Sequence, residues 1–343
     1  MGELKMEDFR KSLKEGRFAR CYILYGQERY LREHYTRELR KAVLGQEDDP
    51  FNLRQYEGKE LDLEELSEAV DAYPSFAEHT MVEVRDLDLF HCPEDQTKKL
   101  ITILKDLPDY CCLVFLFDTL EYKTDNRKKS LSEAVKSCAV SVQFPVQGQG
   151  ELTKWVIRHF ASHKKEISRE DASYLIFLCG SLMEGLLNEI GKISVYARSS
   201  TVTREDIDAV AVPVVEAQVY RLANALSTKR YEEAAELMHK LFQLNTEPIA
   251  INAMIGSQLR RLYAAKLVKD SGGDAAKLAQ ILSGEKDYSC QQNLRICGGF
   301  TNAWYRNALR RCAELDLKLK SSSGDEEEML KSLFLQLAVE RGA

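Results

Sequence analysis

The sequence lacks the long apolar run that a membrane-spanning helix needs, and its first residues have no apolar core like that of a signal peptide. We therefore expect a cytoplasmic protein with no membrane partner. None of its nine cysteines forms a Cys-x-x-Cys pair, and several lie within apolar runs. We interpret them as small buried hydrophobes or incidental surface thiols, which excludes a zinc site and a disulfide framework.

An excess of positive charge is also missing, since the formal net charge is −6. This charge argues against a chain that coats nucleic acid by itself, although it permits a local basic surface. At 343 residues the chain is long enough for two or three domains, each with its own core.

The first 145 residues contain an alternation of strand-like and helix-like segments. Short apolar runs of strand type occur at residues 20–25, 51–56, 80–84, 111–117 and 139–144, and amphipathic segments lie between most of them. The run Cys111–Phe117 is continuously apolar, which is typical of a strand buried on both faces. This order predicts a parallel sheet covered by helices, in a domain over residues 1–145.

The pattern changes after this region. Pro and Gly residues between Phe144 and Gly150 predict a linker, and beyond it we find no convincing strand. N-cap signatures at Ser168 and Thr203 predict helices of a small helical domain over residues 146–213. Further helices follow from Val214, which predicts a second helical domain over residues 214–343. The predicted fold class is therefore α/β plus all-α.

A sheet domain followed by two helical domains is the layout of an ATPase, so the phosphate site is the first feature to test. The first long strand ends at Gly26, but the second glycine and the Lys-Ser/Thr pair of a Walker loop are missing, and Glu28 would repel phosphate. Asp118 follows the buried strand, yet Thr119 and Leu120 stand where a catalytic carboxylate is expected, so we interpret Asp118 as a loop cap. We expect no catalytic residue, no cofactor and no metal.

A corner between a predicted helix and a predicted strand is the other notable feature. The helix is expected from Asp62 to about Tyr73 and the strand from Thr80 to Val84, and Pro74 ends the helix. The corner itself consists of Tyr73, Pro74, Ser75 and Phe76. Phe76 can fold back into the core, as most aromatic residues do, or project outward as an anchor for a partner. The sequence leaves both alternatives open.

Several stretches together resemble one known family over nearly the full chain. They are Tyr22–Leu31, the corner Pro74–Phe76 followed by Met81–Val84, Leu186–Ile193 and Glu314–Lys318. Their order and spacing are similar to those of the delta subunit family of the bacterial DNA polymerase III clamp loader.

The resemblance implies a degenerate AAA+ parallel-sheet domain, a small helical lid domain and a C-terminal helical collar domain. It implies a component of the DNA polymerase III holoenzyme that binds the sliding clamp (beta subunit) and opens its ring for loading onto primed DNA. Such a subunit does not hydrolyse ATP itself. The motor subunits (gamma/tau) would supply hydrolysis, and these subunits with delta-prime and this chain would form a heteropentamer.

The resemblance also assigns clamp-binding residues. The family uses a hydrophobic pair at the corner, commonly Leu-Phe, and the matching positions here are Ser75 and Phe76. Because Ser75 offers little apolar area, the contact should depend more on Phe76 and on Tyr73, with Pro74 between them. In the lid, Gly180–Met183 stands where active relatives carry a nucleotide-sensing arginine.

Two features suggest contact with primer-template DNA. The basic residues Lys123, Arg127, Lys128 and Lys129 form either a solvated face or a set of phosphate contacts inside the loader. Tyr288 lies near a position where family members often have an aromatic residue, and it either stacks on a template base or belongs to the core.

Two other classes of function remain as alternatives. One is a divergent AAA+ nucleotide hydrolase, which magnesium-dependent ATP binding would support. The other is a helical scaffold or DNA-binding module without clamp contact, which salt-sensitive DNA binding by the lone chain would support.

Overall fold

The computed structural model describes residues 2–125, 127–227, 230–243, 247–283, 287–321 and 324–339. The chain divides into two compact units. One runs up to Gln147 and includes the short segment Leu182–Glu184, and the other comprises Gly148–Ser181 and the chain from Gly185 onward. The division into three domains, with a further boundary at residue 213, stays a prediction.

Six parallel strands form the sheet of the first unit. They are β1 (Glu3–Leu4), β2 (Cys21–Tyr25), β3 (Leu53–Glu57), β4 (Thr80–Arg85), β5 (Cys111–Leu116) and β6 (Val140–Gln143). Their order across the sheet is β1-β6-β2-β5-β4-β3. β2 and β5 take the central positions because they are apolar on both faces, and every residue of β5 is buried. β1 and β3 are the two edge strands, and β3 is partly exposed along its length. The predicted parallel sheet is confirmed.

Helices cover both faces of this sheet. They are α1 (Met6–Lys14), α2 (Arg29–Leu44), α3 (Leu63–Asp71), α4 (Glu94–Lys105) and α5 (Lys129–Cys138). On one face Phe9 and Leu39 pack with Leu24 of β2, and on the other Leu66 packs in the same cluster as Ile23. Because successive strand residues point to opposite faces, neighbouring residues of β2 serve two separate cores. The predicted start of α5 at Asn126 lies outside the described residues.

The second unit is built mainly of helices. They are α6 (Gln149–Ser162), α7 (Arg169–Cys179), α8 (Met183–Tyr196), α9 (Arg204–Val210), α10 (Val215–Ser227), α11 (Tyr231–Gln243), α12 (Pro248–Asp270), α13 (Ala275–Ile281), α14 (Asp287–Ile296), α15 (Asn302–Ser321) and α16 (Glu326–Val339), with a short 3-10 turn at Cys297–Gly299. The first two residues of α8, Met183 and Glu184, belong to the short segment that is grouped with the first unit. The long helix α12 lies in a core with α15 and α16, where Leu259, Tyr305 and Phe334 are buried together.

The expectation of no strand beyond the linker is wrong. β7 (Glu166–Ile167) and β8 (Thr201–Val202) form a small parallel sheet. Each strand has only two residues, which is too short to show the alternation by which strands are found in sequences. Each is also followed at once by a helix cap: Ser168 accepts a hydrogen bond from the N–H of Asp171, and Thr203 accepts one from the N–H of Asp206. Both predicted N-caps are therefore confirmed.

All nine cysteines are free thiols, and six of them are buried. Burial raises the pKa of the Cys312 thiol to about 11, so it stays protonated and behaves as a small hydrophobe. Within the described ranges, no group of three or more His, Cys, Asp or Glu side chains could hold a metal ion. Over the same ranges, no helix combines the length and apolar character required to span a bilayer.

Candidate functional site

The corner between α3 and β4 displays an exposed aromatic ring. α3 ends at Asp71 and β4 begins at Thr80. Between them Phe76 has a φ angle of 57°, in the left-handed region, and its side chain is fully exposed (106%). A left-handed conformation costs a residue with a Cβ atom about 1–2 kcal/mol. The core alternative for Phe76 is therefore wrong, and no burial of its ring within the described part of the chain offsets this strain.

The side chain of Asn52 holds this corner in place. Its Oδ1 atom accepts a hydrogen bond of 2.7 Å from the N–H of Ser75, and its Nδ2 atom donates one of 3.0 Å to the Ser75 carbonyl. Asn52 is buried, and its own carbonyl accepts from the N–H of Met81 in β4. The residue directly before Phe76 is thus fixed through both of its backbone polar groups.

The turn that contains Asn52 displays a second aromatic ring. The carboxylate of Asp49 accepts hydrogen bonds from the N–H groups of Phe51 and Asn52, at 2.9 and 3.1 Å. It also accepts a hydrogen bond of 3.0 Å from the Asn52 side chain, and these bonds lower the pKa of the Asp49 carboxyl group. The backbone is held while the Phe51 side chain remains 69% exposed.

The other predicted corner residues also lie at the surface. Tyr73 is 81% exposed and stacks on Tyr110, with ring centroids 5.2 Å apart. The Tyr110 hydroxyl donates to the carbonyl of Asp71, the last residue of α3. Ser75 is exposed and Pro74 is half-buried. The structure therefore brings all four predicted residues together at the amino ends of the adjacent strands β3 and β4.

At the opposite, carboxyl edge of the sheet, the place expected for a phosphate is filled by a buried arginine. Gly26 follows β2 with φ = 123°, and a Cβ atom there would lie 2.4 Å from the carbonyl oxygen of Phe144. The guanidinium of Arg32 donates to the Gly26 carbonyl at 2.5 Å and to Asp118 at 2.6 and 2.9 Å. Arg32 is only 2% exposed, so its side chain and not solvent occupies this position.

Asp118 belongs to an ion-pair network, so its interpretation as a loop cap is wrong. It accepts from Arg85 at 2.6 Å as well as from Arg32, and Arg85 also pairs with Glu33 at 2.8 Å. Burial lowers the pKa of Arg85, but the hydrogen bonds and charges of its two acidic partners raise it further, so the net pKa is raised. The sequence spacing did not show this network because its members come from three different elements.

The loop cap is Asp86, which the sequence analysis missed. Asp86 also has a left-handed φ, of 51°, and its carboxylate accepts from the backbone N–H groups of Asp118, Thr119 and Leu120. It further accepts from the Thr119 hydroxyl at 2.7 Å. Burial alone would raise the pKa of Asp86, but these hydrogen bonds outweigh it and the pKa is lowered.

Glu28 lies beside the same edge and is buried, at 1% exposure. Its carboxylate accepts from the N–H of Met183, in the segment that packs with this unit, at 3.3 Å. Desolvation raises the pKa of the Glu28 carboxyl group, partly offset by this hydrogen bond. The position that a phosphate would occupy is therefore lined by the Glu28 carboxylate and by Arg32, which already pairs with Asp118.

The predicted basic residues lie in the loop after β5 and at the start of α5, and most have partners within the chain. Lys123 pairs with Glu121 at 2.7 Å, Arg127 pairs with Asp125 at 2.9 Å, and Lys128 donates to the Thr97 hydroxyl at 3.0 Å. Lys129 is exposed at the first position of α5. DNA contact by this run stays a prediction.

Tyr288 packs within the second unit. Its ring lies 5.6 Å from that of Phe177, and Phe177 also contacts Tyr220 with centroids 4.9 Å apart. Tyr288 is half-buried, and desolvation raises its pKa. One side of the Tyr288 ring therefore packs against Phe177, as a core residue would. Stacking of Tyr288 on a template base stays a prediction.

Sequence reasoning missed the residues that shape both edges of the sheet. Asp49 and Asn52 are three positions apart, which is the spacing of a side chain that caps a turn, so this part could have been found. The roles of Phe51, Arg32 and Asp86 depend on contacts between distant segments, and no local pattern indicates them.

The fold is therefore an α/β protein with a parallel six-stranded sheet and a helical second unit, and buried side chains fill the position after β2 where a phosphate would be expected. Models of one family match both parts of the chain: "DNA polymerase III, delta subunit" over residues 22–144, and the C-terminal domain of the same subunit over residues 216–337. The chain belongs to the DNA polymerase III delta subunit family.

Individual relatives cover almost the whole chain. A DNA polymerase III subunit delta of Bacillus subtilis is 25% identical over 336 residues, which are 96% of this chain and 96% of the relative. The solved structure of the Bacillus subtilis DNA clamp loader delta protein covers 97% of this chain and 99% of its own, with 24% identity and a TM-score of 0.50. A DNA polymerase III, gamma subunit-related protein of Thermotoga maritima is also similar, at 11% identity and a TM-score of 0.38 over 96% of this chain and 98% of its own.

Proposed function

We propose that this chain is the clamp-opening subunit of the replicative clamp loader. It binds the sliding clamp through the corner Tyr73–Phe76 and holds one interface of the ring open for loading onto primed DNA. It performs no bond chemistry itself. The partners in this proposal are the clamp, the motor subunits, delta-prime and the primer-template DNA within the complex.

The conformation of Phe76 carries the proposal. A strained backbone that positions a fully exposed phenyl ring has no benefit for the isolated chain, and such strain concentrates at binding sites. Burying a phenylalanine side chain of about 150–200 Å² in a partner pocket would contribute roughly 4–5 kcal/mol before ordering costs. A rigid aromatic residue at an exposed corner has the character of an interface hot spot.

Clamp opening would follow from a difference in affinity. A ligand shifts an equilibrium between two states only by the amount that it prefers one of them. If Phe76 and its neighbours fit the opened or bent clamp interface better than the closed one, binding favours the open ring. No fuel is needed at this step, and ATP hydrolysis by the motor subunits controls when the corner is accessible.

The filled phosphate position supports the absence of ATP hydrolysis. A nucleotide would have to displace Arg32 from Asp118 and place its phosphates near the buried carboxylate of Glu28. Breaking a buried ion pair costs about 3–5 kcal/mol. This geometry argues against the alternative of a divergent hydrolase.

Exposed apolar side chains in the second unit support assembly with other loader subunits. Leu335 and Val339 of α16 are exposed and lie beside Tyr231 of α11 in an open apolar groove. In the proposal, residues 146–213 are the lid, and residues 214–343 are the collar that joins the heteropentamer. Lys129 and the neighbouring basic residues, with Tyr288, would contact DNA inside the assembled complex.

Clamp binding by the purified chain tests the proposal. We compare wild type, Phe76→Ala and the control Tyr196→Ala, which truncates an exposed aromatic residue of α8, against the sliding clamp of the same organism. Phe76→Ala should weaken binding at least about 30-fold, the value for a loss of 2 kcal/mol at a hot spot. Because the ring touches little, the free energy of unfolding should change by less than about 0.5 kcal/mol.

Other outcomes would favour the other functions. Unchanged clamp affinity of Phe76→Ala contradicts the proposed site. Saturable, magnesium-dependent ATP binding or hydrolysis by the lone chain would revive the hydrolase alternative. Failure to bind the clamp together with salt-sensitive DNA binding would favour a scaffold or DNA-binding module.

A further inference from the structure

In the described chain up to Gln147, exposed large hydrophobic side chains are concentrated at one place; the first unit has a further one, Leu182, in its separate segment Leu182–Glu184. In the described chain up to Gln147, only three such side chains are exposed: Phe51, Tyr73 and Phe76. Tyr73 and Phe76 belong to the corner before β4, and Phe51 belongs to the turn before β3. Because β3 and β4 are adjacent parallel strands, these segments lie at the same edge of the sheet.

The hydrogen bonds of Asn52 set how far apart Phe51 and Phe76 can be. Asn52 and Ser75 are joined by two hydrogen bonds. Phe51 directly precedes Asn52 in the chain, and Phe76 directly follows Ser75. Since consecutive Cα atoms are about 3.8 Å apart, the Cα atoms of the two phenylalanines lie within roughly 15 Å of each other. An interface side of standard size, about 800 Å², is roughly 30 Å across and includes both.

The Phe51 ring is displayed by a backbone that is already ordered. The Asp49 carboxylate holds the N–H groups of residues 51 and 52, and the Asn52 side chain links this turn to Ser75. A side chain presented in this way loses little backbone freedom on binding, so more of the burial free energy contributes to affinity. The exposed Phe51 ring is in contact with water in the free chain, so its burial against a partner would be favourable.

We propose that Phe51 is a second aromatic anchor for the sliding clamp, continuous with the corner Tyr73–Phe76. The inference rests on the proposed function, because the occupant of the surface is the clamp itself. Asp49 and Asn52 are positioning residues in this arrangement: one holds the turn, and the other keeps the two phenylalanines at a fixed separation.

Affinity measurements with Phe51 variants test the inference. Phe51→Ala should weaken clamp binding by about tenfold, whereas Phe51→Leu, which keeps an apolar side chain, should recover most of the affinity. Tyr196→Ala serves as the control for truncation of an exposed aromatic residue and should bind as wild type does. All variants should unfold at the same urea concentration as wild type within error, since each changed side chain is exposed.

A photo-crosslinking amino acid provides a readout of direct contact. Benzoylphenylalanine in place of Phe51 should crosslink to the clamp, whereas the same amino acid in place of Tyr196 should not. Crosslinking at residue 51 together with weaker binding of Phe51→Ala supports the second anchor.

The two proposals fail in different ways. If Phe76→Ala loses binding while Phe51→Ala binds as wild type and residue 51 gives no crosslink, the second anchor is wrong and the proposed function stands. If the wild-type chain does not bind the clamp, or if Phe76→Ala binds normally, the proposed site fails and the second anchor falls with it.

Discussion

Replacing Asn52 by alanine is the most informative perturbation, because it leaves every proposed contact residue in place and removes only the link between them. The substitution deletes two hydrogen bonds to Ser75 and one to Asp49. If the direction of Phe76 depends on this link, the variant should lose affinity for the clamp even though its phenyl ring is intact.

The effect on stability follows from the burial of the lost bonds. A neutral intramolecular hydrogen bond contributes about 1 kcal/mol net. Ser75 is exposed, so water can replace its lost partners, while the space left by the buried Asn52 side chain adds a small packing cost. We expect the free energy of unfolding to fall by about 1–3 kcal/mol, which leaves a typical domain folded.

The effect on affinity follows from the backbone of Phe76. Once released, residue 76 should leave its left-handed conformation, which is about 1–2 kcal/mol less stable than the right-handed or extended ones. Only about one molecule in 5 to one in 30 would then have residue 76 in the left-handed conformation that binds the clamp. The apparent affinity for the clamp falls by the same factor. We therefore expect a 5- to 30-fold loss.

Titration calorimetry or anisotropy against the clamp measures this loss, and urea unfolding shows that the variant is folded. Asn252→Ala is a matched control, because Asn252 is also a buried asparagine whose amide donates to a backbone carbonyl, that of Cys312. It should lose stability but not clamp affinity. In addition, the double variant Asn52→Ala/Phe76→Ala should bind no more weakly than Phe76→Ala alone. Wild-type affinity of folded Asn52→Ala, or full additivity with Phe76→Ala, would refute the reasoning.

Two predictions concern the filled phosphate position. Glu28→Gln should stabilise the chain at pH 7: the folded-state pKa of Glu28 is raised above its unfolded value, so its charged form costs stability above the folded pKa. This gain in stability should disappear below about pH 4, where the Glu28 carboxyl group is neutral in both the folded and the unfolded state. Urea unfolding at several pH values measures the gain, and a gain of the same size at every pH would contradict the prediction. Arg32→Ala should lower the free energy of unfolding by about 3 kcal/mol. This value is at the lower end for a broken buried ion pair, because Arg85 still pairs with Asp118. The same variant should show no ATP binding in equilibrium dialysis. Tight ATP binding by this variant would show that the arginine had merely blocked a working site.

The sheet could be predicted from the sequence because its signals are local. The continuous apolar run of β5 and the alternating helices between strands lead to a parallel α/β domain without knowledge of any contact. The missing Walker residues likewise indicated that no ordinary phosphate loop follows β2. The strands β7 and β8 were missed because two residues are too few to show a pattern.

The direction of Phe76 could not be predicted, because it depends on a contact across the chain. Asn52 and Ser75 are 23 residues apart, and nothing in either segment alone distinguishes an outward ring from a buried one. The same reason explains why the sequence indicates Asp118 as the loop cap and gives no sign of the role of Asp86. Their roles depend on the strand order, which brings the carboxyl ends of β4 and β5 together and places Arg32 between them and Gly26.

The central claim is that this chain opens the clamp by binding and not by hydrolysis. A clamp that carries a fluorescent donor and acceptor on opposite sides of one ring interface reports the opening directly. Saturating wild-type chain, without ATP or other subunits, should lower the energy transfer across the labelled interface, and Phe76→Ala at the same concentration should leave it unchanged. Unaltered energy transfer with bound wild-type chain, or equal opening by Phe76→Ala, would contradict the account.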